Sequence, residues 1–205
     1  MIVPSMTHAE LMKEVKIDGL AVDRKGCFLA DDLRRFAIKS KIKPIDRWYN
    51  YKSARKNDWI ILIRHHGKSY NIYLFAWFIG KQGINIISAS NNERSEFTFY
   101  HYTSHFISRY NERYLKSNLP SVDIFKHYFI RNMDLNAKTE GGRVCDYMGI
   151  VEDGVVFGGV EIYPYNTYVL YKTFISNEMI LKFQENDIHL IEDFKAGKIL
   201  SGIYV

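Results

Sequence analysis

Cysteine, proline and long apolar runs are all scarce in this 205-residue chain, and each scarcity excludes something. Two cysteines, Cys27 and Cys145, are too few and too far apart to argue a disulfide framework; they fit a reducing compartment, and both are expected to be buried thiols. Four prolines, with no Pro/Gly/Ser linker, repeat or low-complexity tract, mark no domain boundary. The longest apolar stretch, Tyr73 to Ile79, is too short to span a bilayer, and MIVPSMTHAEL lacks the basic and apolar regions of a secretory leader. No membrane partner and a cytoplasmic location are the expectation.

Nucleotide and metal motifs are lacking too. Gly141-Gly142 and Gly158-Gly159 have neither a following Lys-Ser/Thr nor a strand-to-helix GxGxxG frame, so they suit turns, with Gly158-Gly159 marking a bulge or a close backbone approach. His101-Tyr-Thr-Ser-His105 has the histidine spacing of a zinc-protease helix but not the Glu after its first His, and His65-His66 point to opposite faces of a strand. No CxxC pair supports a thiol nucleophile. Neither a cofactor nor a metal is expected. The paired acids Glu152-Asp153 read as a solvated hairpin turn, with Asp153-Gly154 at its tip.

A hydrophobic content of 47% is enough for a real core. The pattern predicts an α+β single domain, 1–205, with 1–56 a mainly helical N-terminal segment. Thr7 and Glu10 form a capping box for a first helix that should stop at Asp18-Gly19; a second runs from Leu29 to Ser40, and Pro44 opens a third carrying Trp48 and Tyr49. Runs rich in β-branched and aromatic residues then predict an antiparallel sheet of about six to seven strands. They lie at Trp59 to Arg64, Tyr70 to Ile79, Ile84 to Ser88, Glu96 to His101, Arg143 to Ile150, Val155 to Ile162 and Tyr168 to Phe174. Two central helices, Ser104 to Lys116 and one capped by Ser121, interrupt the sheet. C-terminal helices follow, one capped by Ser176 and one ending near Gly197.

The net charge of +5 is unevenly placed. Lys39, Lys41, Lys43, Arg47, Lys52, Arg55 and Lys56 face one acid, Asp46, within a single stretch, which leaves the rest of the chain near neutral. Trp48, Tyr49 and Tyr51 interleave with these cations. Cations beside aromatics suit phosphate contact with base stacking. The same run also fits a solvated helix whose Trp and Tyr face the core.

The second pattern is TSHFISRYNERYL, which spaces His105, Arg109 and Arg113 at i, i+4 and i+8. On a wheel of about 100° per residue from Phe106, Phe106, Ile107, Tyr110 and Tyr114 share the core face, and the basic stripe borders it at roughly 260°, 300° and 340°. The first-turn position of His105 favours neutral imidazole, a general base, while planar guanidinium forks meet phosphate oxygens in pairs. The chemistry these residues suit is RNA cleavage: His105 takes the proton of a 2′-hydroxyl attacking its adjacent phosphate, and Arg109 and Arg113 stabilise the growing charge. His101 or Tyr102 could protonate the leaving oxygen. The alternative is a helix-end histidine with arginines paired to carboxylates such as Asp123 or Glu96.

The run SHFISRYNER resembles the His-x-x-x-Arg-x-x-x-Arg helix of small ribonuclease toxins of the barnase, EndoU, colicin and RelE-like superfamily. That resemblance implies helices leading into an antiparallel sheet, and carries the catalytic roles to His105, Arg109 and Arg113 with a polar contributor from a later strand, Thr173. It implies RNA as partner and a protein inhibitor as another. The function from a different class is a non-catalytic nucleic-acid- or partner-binding protein of a bacterial mobile element, using the basic aromatic segment.

Overall fold

The computed structural model describes residues 1–41, 46–66, 69–91, 96–133, 136–140 and 144–183, and its fold is α+β. The elements are α1 (His8–Ser40), β1 (Arg47–Lys52), β2 (Asp58–His66), β3 (Ser69–Gly80), β4 (Gly83–Asn91), β5 (Phe97–Tyr102), α2 (Ser104–Tyr110), a π-helical turn (Asn111–Leu115), α3 (Ser121–Arg131), β6 (Asn136–Glu140), β7 (Val144–Val151), β8 (Gly154–Tyr163), β9 (Asn166–Ser176) and α4 (Asn177–Phe183). The chain divides into two compact units, Met1–His101 with Tyr163–Tyr168, and Tyr102–Ile162 with Val169–Val205. A single domain was the reading of the sequence.

In the first unit, α1 begins as the sequence predicts: Thr7 and Glu10 make a reciprocal capping box. It does not stop at Asp18-Gly19. Asp18 is buried and its carboxylate accepts from the Ser53 hydroxyl at 2.7 Å, the Asn57 amide at 2.6 Å and the Trp59 indole at 2.9 Å. A carboxylate taken out of water needs such donors, and they hold Asp18 as a packing residue against the Ser53 to Trp59 segment instead of a solvated helix end. Gly19 lies against the Trp59 ring, and a Cβ on Gly26 would sit 2.7 Å from the Ile72 side chain, so both glycines let strands approach the helix. That packing outweighs the roughly 1 kcal/mol by which glycine weakens a helix. The two expected helices are therefore one of 33 residues.

The strands β1–β2, β2–β3 and β3–β4 pair antiparallel, and β5 lies beside β4. In β2, Trp59 to Ile63 are all buried, as expected of a strand covered on both faces. The third helix expected from Pro44 is corrected: residues 42–45 lie outside the described residues, and Arg47–Lys52 is strand β1. Trp59 to Ile63 offer β1 a complete antiparallel ladder, and this pairing overrides the helical pattern. The segment 1–56 is thus a helix followed by an edge strand. Strand β6, in the second unit, also went unread, while the other expected strands appear within a few residues of their bounds.

His101 of β5 is buried in the first unit, with Nδ1 2.6 Å from the Tyr168 hydroxyl and Nε2 3.1 Å from the Asn85 side-chain oxygen. Since that oxygen can only accept, Nε2 carries the proton and Nδ1 accepts from Tyr168. His8 stacks on Tyr168 at 4.2 Å. Burial, reinforced by His8, lowers the His101 pKa to about 3. It cannot serve as the general acid at neutral pH. Tyr102, the other expected donor, is buried among Phe125, Tyr128 and Tyr171 in the second unit.

In the second unit, β6–β7 and β7–β8 pair antiparallel and β9 lies next to β8. Gly158 serves a close approach, as the sequence suggested: a Cβ there would collide with the Leu170 carbonyl oxygen. The core is rich in aromatic rings, with Tyr102, Phe106, Tyr110, Phe125, Tyr128, Tyr147, Tyr171 and Phe174 buried beside Ile and Val side chains. Cys27, expected inside, is exposed on α1, and the Cys145 side chain lies outside the described residues. So do the expected last helix near Gly197, Lys43 and Gly141-Gly142. Among the described residues no helix is long and apolar enough to cross a membrane.

Unfolding should titrate His101. Its unfolded pKa lies near 6.5 and its folded value near 3, so between these the unfolded chain holds more protons and stability falls as pH falls. Urea unfolding between pH 6.5 and 5, above the carboxylate range, is expected to lose roughly 1.4 kcal/mol per pH unit from this group. His101→Gln should flatten that slope. An unchanged slope in the variant would mean that His101 is not the group responsible.

Candidate functional site

The basic stripe lies in the second unit and starts as a regular helix, with the Thr103 hydroxyl accepting from the Phe106 amide. After Tyr110 it widens into a π-turn, closed by Lys116 N–H on the Asn111 carbonyl. The Asn111 side chain pairs with Ser117, donating to its carbonyl at 2.9 Å and accepting from its amide at 3.0 Å. A π-turn holds more residues than the 3.6 of an α-turn, so the assumed spacing of 100° fails after Tyr110. Arg113 therefore leaves the line set by His105 and Arg109.

The three residues accordingly sit in different settings. His105 is exposed, and its Nε2 accepts from Arg109 Nε at 3.4 Å. Arg109 is 38% exposed and pairs with Glu112 at 2.7 Å. Arg113 donates to the Phe174 backbone carbonyl of β9. The carboxylate expected for the arginines was Asp123 or Glu96; Asp123 instead pairs with Lys126. Glu112 is held below the usual carboxylate range by Ser108 first and then by Arg109. Thr173 is half-buried in β9, and no described residue hydrogen-bonds to its side chain.

The most heavily bonded group beside the stripe is one that the sequence reading put in solvent. Asp153, at the β7–β8 turn, is 2% exposed. Its carboxylate accepts from Arg131 Nε at 2.9 Å and Nη2 at 2.7 Å, from the Tyr110 hydroxyl at 2.7 Å and from the Asn132 amide at 2.9 Å. Asn132 also accepts from the Asp153 backbone N–H. Burial pushes the Asp153 pKa up, but Arg131, Tyr110, Asn132 and Tyr114 together bring it below the ordinary value. Tyr110 is held well above its ordinary pKa by burial and by Asp153. Since Tyr110 spends its proton on Asp153, its oxygen accepts from His127 Nδ1 at 3.1 Å.

An open cleft of about 360 Å³ adjoins this cluster, lined by Arg113, Tyr114, Arg131, Asp153, Ser176 and Glu178 among others. Arg131 lies over the Tyr114 ring at 5.5 Å and keeps Nη1 free of Asp153. Ser176 was expected to cap the helix after it. Its hydroxyl is buried without a hydrogen-bond partner among the described residues, and the first amide of α4, from Asn177, donates to the Asp153 carbonyl at 3.1 Å. Two guanidiniums and an unpaired hydroxyl suit an oxyanion, and the acids beside them limit how much negative charge the cleft can take.

The basic aromatic segment belongs to the first unit and is divided by strand alternation. Arg47 and Tyr51 point to one face of β1 while Trp48 and Lys52 point to the other. Arg47 and Lys52 are exposed, Trp48 and Tyr51 half-buried, and Trp48 packs against Phe75. Lys52 pairs with Asp58 at 3.2 Å. Arg55 is committed to Glu14, donating at 2.9 and 2.6 Å. Lys39, Lys41 and Lys56 are exposed, with Lys41 and Lys56 at positive φ. No group of metal-ligating side chains occurs among the described residues. No family model, curated protein or solved structure matches the chain.

Sequence reasoning missed Asp153, Tyr110, His127 and Arg131 as a cluster. The legible signals were the i, i+4 spacings of Tyr110 with Tyr114 and of His127 with Arg131. Asp153→Ala would leave the buried Tyr110 hydroxyl and Asn132 amide without their acceptor and the exposed Arg131 guanidinium without its partner, and is expected to cost about 2–4 kcal/mol in urea unfolding. Thr173→Val should stay within about 1 kcal/mol. An Asp153→Ala cost below that of Thr173→Val would contradict the central place given to this carboxylate.

Proposed function

We propose that this chain binds RNA and cleaves it without a metal, by attack of a 2′-hydroxyl on the adjacent phosphate. The observation that carries the reading is the contact of Arg109 Nε with His105 Nε2 at 3.4 Å on an exposed helix face. It brings a proton-accepting imidazole nitrogen and a phosphate-binding guanidinium together where a long polyanion can reach both. As Arg109 turns onto the phosphoryl oxygens it frees the His105 Nε2 lone pair to take the 2′-hydroxyl proton, the O2′–P bond forms as the P–O5′ bond breaks, and solvent water protonates the leaving 5′-oxygen. The ion pair of Arg109 with Glu112 is exposed, and such pairs contribute about 0–1 kcal/mol, so a phosphate displaces it at small cost. Arg113 acts from the cleft it shares with Arg131, on a neighbouring phosphate. Thr173 has no part in this scheme. The reading also takes the protein to be toxin-like and cytoplasmic, where an exposed Cys27 stays reduced, and held in check by a protein inhibitor.

A second reading, non-catalytic nucleic-acid binding, is favoured by the exposure of Lys39, Lys41 and Arg47 near the half-buried Trp48 and Tyr51. Arg55 drops out of it because Glu14 holds the guanidinium.

Purified protein incubated with total RNA in EDTA separates the two. Fragments ending in 2′,3′-cyclic phosphate are expected, with the rate falling about 10²–10⁴-fold in His105→Ala and substantially in Arg109→Ala. Intact RNA would sink the ribonuclease reading. Salt-dependent binding that survives His105→Ala and falls when Lys39, Lys41 and Arg47 become Ala would then establish the second.

A further inference from the structure

One face of α1 has no counterpart among the described residues of the first unit. Its core face carries Leu11, Val15, Val22 and Leu33, while Ile17, Leu20, Phe28 and Ile38 lie exposed on the other side, Leu20 and Phe28 each at 68%. Together with Arg24, Asp31 and Arg35 these residues form a line spaced by three and four positions, from Ile17 to Ile38. Such spacing keeps a seam straight along a neighbouring helix crossed at a shallow angle. Arg24 and Asp31 are exposed and make no ion pair among the described residues.

The seam is complementary to itself when reversed. In the antiparallel register that sets Ile17 opposite Ile38 of a second copy, Arg24 falls opposite Asp31, and Leu20 meets the aliphatic stem of Arg35. Phe28 then meets its own counterpart at the two-fold axis. Every contact off the axis occurs twice, as an isologous interface requires, and no like charges face each other along the line. We infer that α1 is a self-association surface and that its occupant is a second copy of this chain, packed antiparallel through Ile17, Leu20, Arg24, Phe28, Asp31 and Ile38.

Sedimentation of the full chain over a concentration series tests this. The wild type is expected to reach a two-fold mass at micromolar concentration, and Leu20→Glu with Phe28→Glu to weaken association at least about tenfold while leaving the circular dichroism spectrum unchanged. Arg24→Asp places an acid opposite Asp31 and should weaken the dimer, and adding Asp31→Arg should restore it. Restoration by the swap would establish the register. A wild type that stays monomeric, which would leave the face to a different partner, overturns the inference. So does a dimer indifferent to the two glutamates, or a charge swap that restores nothing.

Discussion

A carboxylate taken out of water must find a donor for nearly every lone pair, and this constraint organises both units of the protein. In the second unit, Asp153 draws Arg131 and Asn132 from the end of α3 and Tyr110 from α2 onto the β7–β8 turn. In the first, Asp18 and Glu14 draw the Ser53 to Trp59 segment onto α1. Apolar burial supplies the bulk of the stability in each, but it is non-directional. The hydrogen bonds to the carboxylates decide which turn sits against which helix.

The chemistry available at the basic stripe follows from this arrangement. Tyr110 is tied to Asp153 at the point where the regular helix ends, and the π-turn begins at the next residue. The turn separates His105 and Arg109, which remain an exposed contacting pair, from Arg113, which opens on the cleft beside Arg131. The protein therefore presents two cationic settings where a continuous helix would have presented one.

Much of the fold was legible because its signals are local. The capping box of Thr7 and Glu10 and the run from Trp59 to Ile63 each act over a few residues, and each forms the element it predicts. The misreadings share a cause. Gly19 looked like a helix end because its role is to accommodate Trp59, forty positions away in the chain. Asp153 looked like a solvated turn because its principal partner, Arg131, lies 22 residues back. The edge strand β1 looked helical because what makes it a strand is the neighbouring β2.

By itself, the sequence determined the α+β class, most of the strands, the helical start at Thr7 and the presence of His105 and Arg109 on one helix face, since periodicity and capping depend on residues within a turn of one another. Only the tertiary structure decided that α1 runs unbroken, that Arg55 is bound to Glu14 and that Arg113 leaves the stripe for the cleft. The physical reason is that the partners of a buried charge are chosen in space, between residues whose separation along the chain carries no pattern.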